Sequence, residues 1–390
     1  MIRTKSMMKH SVVGALALAA LTCPALAQDK IVIGVTAALT GPAAGTTAPP
    51  VDGLRIYIDR INAAGGINGK KIDLILQDDQ GQPSRAAANA KKLVAQDQVQ
   101  LLILSSLSST FAPVVAETKR ANVPLLNMGA VCPKEVYPKA DPLWFCTTAY
   151  AGGYDSRATL SFVKETAKGQ VQLGLAAMAI PLSRGEMEYA QEFAPSLGMK
   201  VVGLEVIPPP TPDYTPFATK LKEADANWVF SWAPWVTQIK TFEALRRLGW
   251  NGDYITWSHI EAEAELARVK DPKFFVIGAN SLFQDNLPIH KEIIEAVKKA
   301  NAQYPAQQMT EGWIGGMVVE AALKGVKGTP NAENIRQAME GLKVDTKGLR
   351  GGPLVWTADN HFRTRQYYRV YKWDGGKIVV AKDWFGYDVK

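Results

Sequence analysis

A dense run of hydroxyl side chains at residues 105–110 is the first place in this 390-residue sequence where chemistry could occur. Five of its six residues are serine or threonine. A serine nucleophile needs a general base, usually histidine, and a group that orients this base. The chain has only four histidines and contains no G-x-S-x-G, P-loop, dinucleotide-binding or H-E-x-x-H motif. We therefore expect these hydroxyls to bind a ligand at a helix start, and we expect no enzyme.

The cysteines and histidines limit the redox and metal chemistry. Besides Cys23 near the N-terminus, the chain has only Cys132 and Cys146. An even pair in an oxidising compartment favours a disulfide that closes a short loop; two buried free thiols and a metal site are the alternatives. The metal alternative lacks a C-x-x-C pair, and the histidines beyond residue 28 are widely separated: His259, His290 and His361. We expect a disulfide, no metal and no other cofactor.

The N-terminal segment has the pattern of a secretory signal peptide. Arg3, Lys5 and Lys9 precede an apolar stretch at 12–21, and Ala-Leu-Ala ends at Ala27. A retained membrane anchor is the alternative, but the apolar stretch is too short to span a bilayer. We expect cleavage after Ala27 and a mature protein in the periplasm. Removing three of the basic residues changes the net charge from +7 to 7 − 3 = +4, and no Lys/Arg-rich block indicates a nucleic-acid partner.

The elements that would position the hydroxyl run follow from the order of apolar segments. At 47% hydrophobic and 21% charged, the chain is globular, and its length indicates two domains. Strand-like runs at 31–35, 72–76, 101–104 and 123–126 alternate with helical periodicity, and the alternation restarts at 171 after the cysteine loop. Such βαβα order predicts two α/β lobes with parallel sheets. Ligands bind beyond the carboxyl ends of such strands, near helix starts.

Three segments carry a resemblance to a known family. They are Ile33-Gly34-Val35, Leu39-Thr40-Gly41-Pro42 and the stretch Ile61–Lys70, which includes Asn-Ala-Ala-Gly-Gly-Ile-Asn-Gly. Together they make the chain resemble the branched-chain amino acid (Leu/Ile/Val)-binding proteins, the type I periplasmic solute-binding proteins of ABC importers. The resemblance covers nearly the whole chain beyond the signal segment.

The resemblance implies a particular architecture and set of partners. It implies two α/β lobes joined by a three-strand hinge, with the N-terminal lobe at 28–148 plus 280–354. The C-terminal lobe then covers 149–279 plus 355–390. A small ligand would be trapped between the lobes by hinge closure, and the closed monomer would be recognised by the permease and ATPase subunits of an importer.

The resemblance also implies which residues bind the ligand from the N-terminal lobe. In the family, a serine after the third strand and a short segment after the fourth strand bind the carboxylate of the amino acid. The matching positions are Ser108-Ser109 and Gly129-Ala130-Val131. Val131 stands where the family has a threonine, so one hydroxyl donor is absent.

In the C-terminal lobe the matching positions depart further from the family. Arg184 stands in place of one tyrosine and Trp235 near a second, and Ser258 lies near the position of the glutamate that binds the ammonium group. Aromatic residues flank these places: Trp232, Trp257 and His259. Tyr150 and Tyr154 follow the first crossover and either line the hinge side of the cleft or pack against it. The tryptophans could instead be core residues, and Arg184 could be a solvated residue at a helix start.

These departures lead to a hypothesis about the ligand. A buried ammonium group needs a carboxylate, which Ser258 does not supply, whereas Arg184 offers a planar fork for a carboxylate. We therefore expect an aromatic or apolar carboxylic acid, with the tryptophans around its body. The first alternative is a branched-chain or other amino acid, with Glu261 or Glu263 recruited for the ammonium. The second alternative is a ligand-sensing regulatory receptor on the same fold.

Overall fold

The computed structural model describes residues 1–2, 30–129, 131–148, 152–258 and 260–389. The predicted signal segment from Arg3 onward, its cleavage site, and Ala130, Tyr150 and His259 lie outside these ranges. In the part of the chain that the structure describes, no helix combines the length and apolarity that crossing a bilayer requires.

The first sheet is built from the N-terminal βα alternation. Its strands are β1 (Ile31–Ala37), β2 (Ile72–Asp78), β3 (Leu101–Ser105), β4 (Leu125–Asn127) and β5 (Trp144–Cys146). The connecting helices are α1 (Ala44–Ala63), α2 (Pro83–Ala95) and α3 (Phe111–Ala121). The strands pair in parallel in the order β2-β1-β3-β4-β5. All five residues of the central strand β3 are buried, as expected for a strand covered on both faces.

The second sheet repeats this pattern after the cysteine loop. Its parallel strands are β6 (Gln172–Met178), β7 (Lys200–Ile207), β8 (Trp228–Ser231), β9 (Asp253–Trp257) and β10 (Phe274–Gly278). The helices are α4 (Tyr154–Thr166), α5 (Pro181–Phe193), α6 (Thr215–Glu223), α7 (Trp235–Arg247) and α8 (Ala262–Val269). These strands lie in the order β10-β9-β8-β6-β7.

The C-terminal part of the chain contributes to both units. Its elements are α9 (Pro288–Lys299), α10 (Thr310–Gly325), α11 (Ala332–Met339), β11 (Lys343–Val344), β12 (Leu354–Val355), β13 (Arg365–Asp374) and β14 (Lys377–Asp388). The hairpin β13–β14 adds antiparallel strands beside β10. The second sheet is therefore mixed, whereas the prediction was a wholly parallel sheet. In the turn between β13 and β14, Gly375 and Gly376 adopt φ values of 54° and 85°, which glycine permits.

Helix α10 returns to the first unit and packs directly on α1. Gly312 makes this close approach possible, since a Cβ at this position would lie 1.8 Å from the backbone oxygen of Pro50. Beside this contact, the rings of Tyr57 and Trp313 meet edge to face with centroids 5.0 Å apart. The chain therefore passes between the two units three times: from β5 to α4, from β10 to α9, and from β12 to β13. The two-lobed α/β fold is as predicted, and the exact lobe boundaries stay a prediction.

The segment that carries most of the family resemblance connects α1 to β2. The side chain of Asn62 pairs with both backbone groups of Ile72: Nδ2 donates to the carbonyl, and Oδ1 accepts from the N–H, each at 2.8 Å. This amide replaces a missing backbone partner at the start of the strand. The motif at 61–70 therefore has a structural role in the first lobe.

The predicted disulfide between Cys132 and Cys146 is present, across a sequence separation of 14 residues. Both cysteines are fully buried. The bond ties the loop that follows β4 to the end of β5, and Val131 in this loop reaches the cleft described below.

Candidate ligand-binding cleft

A cleft with about 580 Å³ of empty space, including its open mouth, lies between the two lobes. Its walls come from the carboxyl ends of the parallel strands and from the helix starts that follow them, as predicted. The lining comprises Thr46, Thr47, Ser106, Leu107, Ser108, Gly129, Val131, Ile180, Leu182, Ser183, Trp232, Ala233, Pro234, Trp235, Gln238, Trp257 and Glu261. Six of the residues predicted from sequence are brought together here: Ser108, Gly129, Val131, Trp232, Trp235 and Trp257.

Three tryptophans form the apolar wall on the side of the second lobe. Trp232, Trp235 and Trp257 are 3%, 8% and 3% exposed. The rings of Trp232 and Trp257 lie 6.4 Å apart at 55°, and Trp235 packs edge to face on Phe274. The indole nitrogen of Trp232 donates to Asp155 at 3.0 Å, whereas that of Trp235 has no partner among the described residues. The wall therefore combines flat apolar surface with an unused donor.

Ser183 and Gln238 form hydrogen bonds with the backbone of Trp232 and Trp257 in this wall. Ser183 Oγ donates to the carbonyl of Trp232 at 2.6 Å and accepts from the N–H of Met178 at 2.9 Å. Gln238 Nε2 donates to the carbonyl of Trp257 at 2.8 Å, and its Oε1 accepts from the N–H of the same residue at 3.1 Å. These hydrogen bonds fix the backbone position of Trp232 and Trp257.

The first lobe contributes hydroxyl groups. Ser108 Oγ accepts from the N–H of Leu182 in the second lobe at 3.2 Å. Ser106 Oγ donates to Asp79 Oδ1 at 2.7 Å, and burial raises the pKa of this carboxyl group although hydrogen bonds oppose the shift. Thr47 Oγ1 donates to the carbonyl of Ala38 at 2.6 Å.

Glu261 brings the single carboxylate of the described lining into the cleft. It is 5% exposed, and its Oε1 accepts from Thr46 Oγ1 in the first lobe at 2.9 Å. Its Oε2 accepts from Ser258 Oγ, also at 2.9 Å. Among the described residues of the lining, none is a lysine, arginine or histidine. The cleft therefore presents a buried carboxylate that accepts from hydroxyl groups, without a cationic side chain among the described residues of its lining.

The structure does not support the predicted clamp by Arg184. Helix α5 begins at Pro181, so Arg184 lies within its first turn, and Arg184 is absent from the lining of the cleft. Its side chain is 61% exposed and pairs with Glu188 one turn along the helix, with Nε 2.9 Å from Oε1. Arg184 therefore matches the alternative given above, a solvated residue at a helix start.

The other predicted residues lie near the cleft without lining it. Ser109 is half-buried in the short helical turn before α3. Ser258 lines a smaller neighbouring cavity and reaches the cleft only through Glu261. Tyr154 is buried in the core at the start of α4. In the described residues, groups of three or more acidic, histidine or cysteine side chains suited to a metal ion do not occur.

Sequence reasoning missed Thr46, Thr47, Ser183 and Gln238. Thr46 and Thr47 lie in the first turn of α1, directly after the first strand. A pair of hydroxyls at a helix start that follows a parallel strand is the same signal that singled out Ser108. Ser183 and Gln238 carried no comparable signal, since they act on the backbone of distant residues.

Two α/β lobes with a cleft at the carboxyl ends of their parallel strands define a solute-binding protein. The sequence profile of the periplasmic binding protein family matches residues 30–377, and the chain belongs to this family. The resemblance inferred from the motif at 61–70 is thereby confirmed.

Relatives and solved structures resemble the chain over almost its full length. A Leu/Ile/Val-binding protein of Rhizobium johnstonii is 24% identical over 368 residues, which are 93% of this chain and 97% of the relative. A branched-chain amino acid ABC transporter protein from Thermus thermophilus with bound valine has a TM-score of 0.79 at 15% identity, covering 92% of this chain and 97% of that one. An ABC transporter solute-binding protein of Rhodopseudomonas palustris in complex with 3,4-dihydroxybenzoic acid has a TM-score of 0.77 at 18% identity, with the same coverage.

Proposed function

We propose that this protein is the extracytoplasmic receptor of an ABC importer and that it captures a small apolar amino acid in the cleft. The observation that carries the ligand class is the carboxylate of Glu261, buried in the cleft without a protein cation among the described lining residues. A ligand ammonium group would supply the missing positive charge. A ligand that carries only a carboxylate would add a second negative charge to a poorly solvated space, which is costly.

The remaining groups of the cleft suit the rest of an amino acid. Ser108, at a helix start in the first lobe, can donate its hydroxyl hydrogen to a ligand carboxylate. The tryptophan wall offers apolar area to an aliphatic or aromatic side chain. This assignment replaces our first hypothesis, an aromatic or apolar carboxylic acid, because Arg184 does not reach the cleft.

Capture would proceed by closure of the two lobes about the three connections. Two hydrogen bonds join the lobes at the cleft: Thr46 to Glu261 and Leu182 to Ser108. Closure removes water from the ligand, which strengthens each electrostatic contact inside. The closed shape is the signal that the permease would recognise.

A receptor fits the chemistry of the cleft better than an enzyme does. The hydroxyl of Ser108 accepts a backbone N–H, and the described lining contains no histidine, lysine or cysteine that could activate it. The proposal therefore includes binding and release without turnover, in a monomer located in the periplasm.

An aromatic carboxylic acid is the second candidate. The three tryptophans offer more aromatic surface than a branched aliphatic side chain would cover. In addition, one structural relative has 3,4-dihydroxybenzoic acid bound. In this case the carboxylate would take its donors from Ser108 and backbone N–H groups, and Glu261 would accept from a ligand hydroxyl.

Matched ligand pairs distinguish the two candidates. Thermal unfolding is recorded with L-leucine and its deamino analogue 4-methylpentanoate, and with L-phenylalanine and 3-phenylpropanoate. A true ligand at a hundredfold excess over its dissociation constant stabilises the folded protein by about 2.7 kcal/mol. We expect the amino acid of each pair to raise the melting temperature and its analogue to leave it unchanged. Stabilisation by the analogues alone would overturn the amino acid assignment and support the aromatic acid, and conversion of a bound probe would overturn the receptor class.

A further inference from the structure

The cleft residue Trp232 is tied to a buried acid that belongs to the junction of the two lobes. Its Nε1 donates to Asp155 Oδ2 at 3.0 Å, and Asp155 Oδ1 accepts from the hydroxyl of Tyr368 at 2.8 Å. Asp155 lies in the first turn of α4, just after the first connection between the lobes. Tyr368 lies on β13, just after the third connection. One carboxylate therefore joins a cleft-lining indole to segments at two of the three connections.

Asp155 is one of five charged groups buried together at this junction. The others are Glu186 on α5, Glu311 on α10, and Arg350 and Arg363 before β13, and none of the five is more than 4% exposed. Arg350 pairs with Glu311 at 2.7 Å, and Arg363 donates to the carbonyl of Thr148 at 2.6 Å. Three carboxylates and two guanidiniums sum to 2 − 3 = −1 when all are ionised. A single proton brings this buried group to neutrality, which low polarity favours.

Hydrogen bonding indicates which carboxylate takes the proton. Glu186 accepts from the N–H groups of Gly153 and Ser156 and from the hydroxyl of Ser156, at 2.8 to 3.1 Å. Three such donors favour its charged form, whereas Asp155 accepts from two donors among the described residues. Burial, together with the nearby charge of Glu186, raises the pKa of Asp155 to about 8.

We propose that Asp155 is a positioning residue of the cleft, which fixes the orientation of Trp232 and thereby sets the affinity for the ligand. This inference rests on the proposed function, because it takes the cleft as the ligand site. A buried indole N–H requires an acceptor, and Asp155 provides one in a single orientation. Because the same carboxylate binds Tyr368, the indole is held relative to the lobe junction as well as within its own lobe.

The orientation of Trp232 should depend on pH. When Asp155 loses its proton, the charged carboxylate accepts the indole N–H of Trp232 more strongly. Fluorine NMR of protein labelled with 5-fluorotryptophan reports this directly, and the Trp232 resonance is identified by its loss in Trp232→Phe. We expect this resonance to shift with a midpoint far above that of an ordinary carboxyl group, to stay fixed in Asp155→Asn, and to titrate as in wild type in the exposed control Asp225→Asn. A Trp232 resonance that does not titrate, or titrates equally in Asp155→Asn, would overturn the proposal.

A second experiment measures ligand affinity by calorimetry at pH 7, with L-leucine and 3-phenylpropanoate as probes. Asp155→Ala leaves the indole N–H without its acceptor and should weaken binding of the accepted probe about tenfold, the cost of one lost hydrogen bond to a buried group. Asp155→Asn keeps an acceptor oxygen and should restore most of the affinity. Unchanged binding by Asp155→Ala would contradict the positioning role. If Trp232→Phe also binds the probe as tightly as the wild type, the assignment of the cleft as the ligand site would be contradicted instead. If neither probe binds, the fluorine NMR titration alone tests the positioning role of Asp155.

Discussion

Thr46 in the first lobe donates its hydroxyl to Glu261 in the second lobe, with Oγ1 2.9 Å from Oε1, although 215 residues separate them in the sequence. The bond crosses the mouth of the cleft at the same carboxylate that we propose for the ligand ammonium. Closure of the lobes and recognition of the ligand therefore share one side chain. A ligand cation at Glu261 would meet a carboxylate already oriented by Thr46 and Ser258.

Replacing Glu261 by glutamine should weaken binding of L-leucine by about 10- to 150-fold, because a charge-assisted hydrogen bond contributes about 1.5–3 kcal/mol. Isothermal titration calorimetry measures the change. Glu265→Gln is the matched control, since this residue lies one turn further along α8, pairs with Arg268 at 2.6 Å and does not line the cleft. Equal affinity of Glu261→Gln and the wild-type protein would contradict the role of this carboxylate.

Thr46→Val removes the hydroxyl that joins the lobes while keeping the volume of the side chain. We expect about 2- to 10-fold weaker binding of L-leucine, mainly through faster dissociation, because one interlobe hydrogen bond is lost. Stopped-flow fluorescence measures the dissociation rate, and small-angle scattering should show a larger mean radius of gyration. The exposed substitution Thr166→Val should leave both unchanged. A dissociation rate unaffected by Thr46→Val would show that this bond does not hold the closed form.

Arg184→Ala should change ligand affinity by less than about twofold. The side chain is 61% exposed and pairs only along its own helix, and such pairs contribute about 0.3–0.5 kcal/mol to stability. Isothermal titration calorimetry tests this, with L-leucine or with 3-phenylpropanoate as the ligand. A loss of tenfold or more would restore the clamp that the sequence suggested.

Loss of the Cys132–Cys146 bond should lower the free energy of unfolding by about 3 kcal/mol in the loop-entropy model, given the separation of 14 residues. Guanidinium unfolding of the double variant Cys132→Ala/Cys146→Ala measures the loss. Adding a reductant should lower the wild-type midpoint and leave that of the double variant unchanged. If unreduced, denatured protein that lacks the N-terminal segment reacted with two equivalents of alkylating agent, the disulfide would be refuted.

Between pH 6.5 and 5, His361 should make a contribution to stability that falls with pH, opposite in sign to that of Asp155, whose raised pKa favours proton uptake by the folded chain. The ring of His361 stacks on Phe145 at 3.9 Å, with Nδ1 3.0 Å from the carbonyl of Trp144, and burial lowers its pKa below the ordinary 6.5. Because the unfolded chain binds a proton at this position more readily than the folded chain, the contribution of His361 falls as the pH drops through this window. His361→Gln should therefore raise the melting temperature at pH 5.5 relative to that at pH 7.5, compared with the wild type. Burial lowers the pKa of His290 as well, so the double variant with His290→Gln should raise it further; the same difference between the two melting temperatures in variant and wild type would contradict this account.

The sequence predicted the architecture, which follows from strand order, and six of the residues that line the cleft. The hydroxyl run that includes Ser108 was found from its own residue types and its place at the start of a helix, whereas Gly129, Val131 and Trp232 were assigned from the family resemblance. The antiparallel pairing of the C-terminal hairpin with β10 was not predicted. This pairing joins residues almost 100 positions apart, and no local periodicity specifies it.

The charged residues of the cleft could not be assigned from the sequence with the same accuracy. Ser258 hydrogen-bonds to Glu261, so the loop turns back and presents the acid three residues after the position where it was expected. For Arg184, the proline at residue 181 was the available signal of an earlier helix start. The contact of Asp155 with Trp232 spans 77 residues and depends on tertiary packing within the second lobe, which a single sequence does not encode in any local pattern.

The late position of the β13–β14 hairpin has a consequence for biosynthesis. The second sheet lacks two of its seven strands until residue 388 has left the ribosome, and the first lobe likewise waits for α10. Neither core can close on a nascent chain, and contacts between such distant segments form slowly. For a protein that is exported as we propose, the order of its segments would itself keep the chain unfolded long enough to pass through a secretion channel.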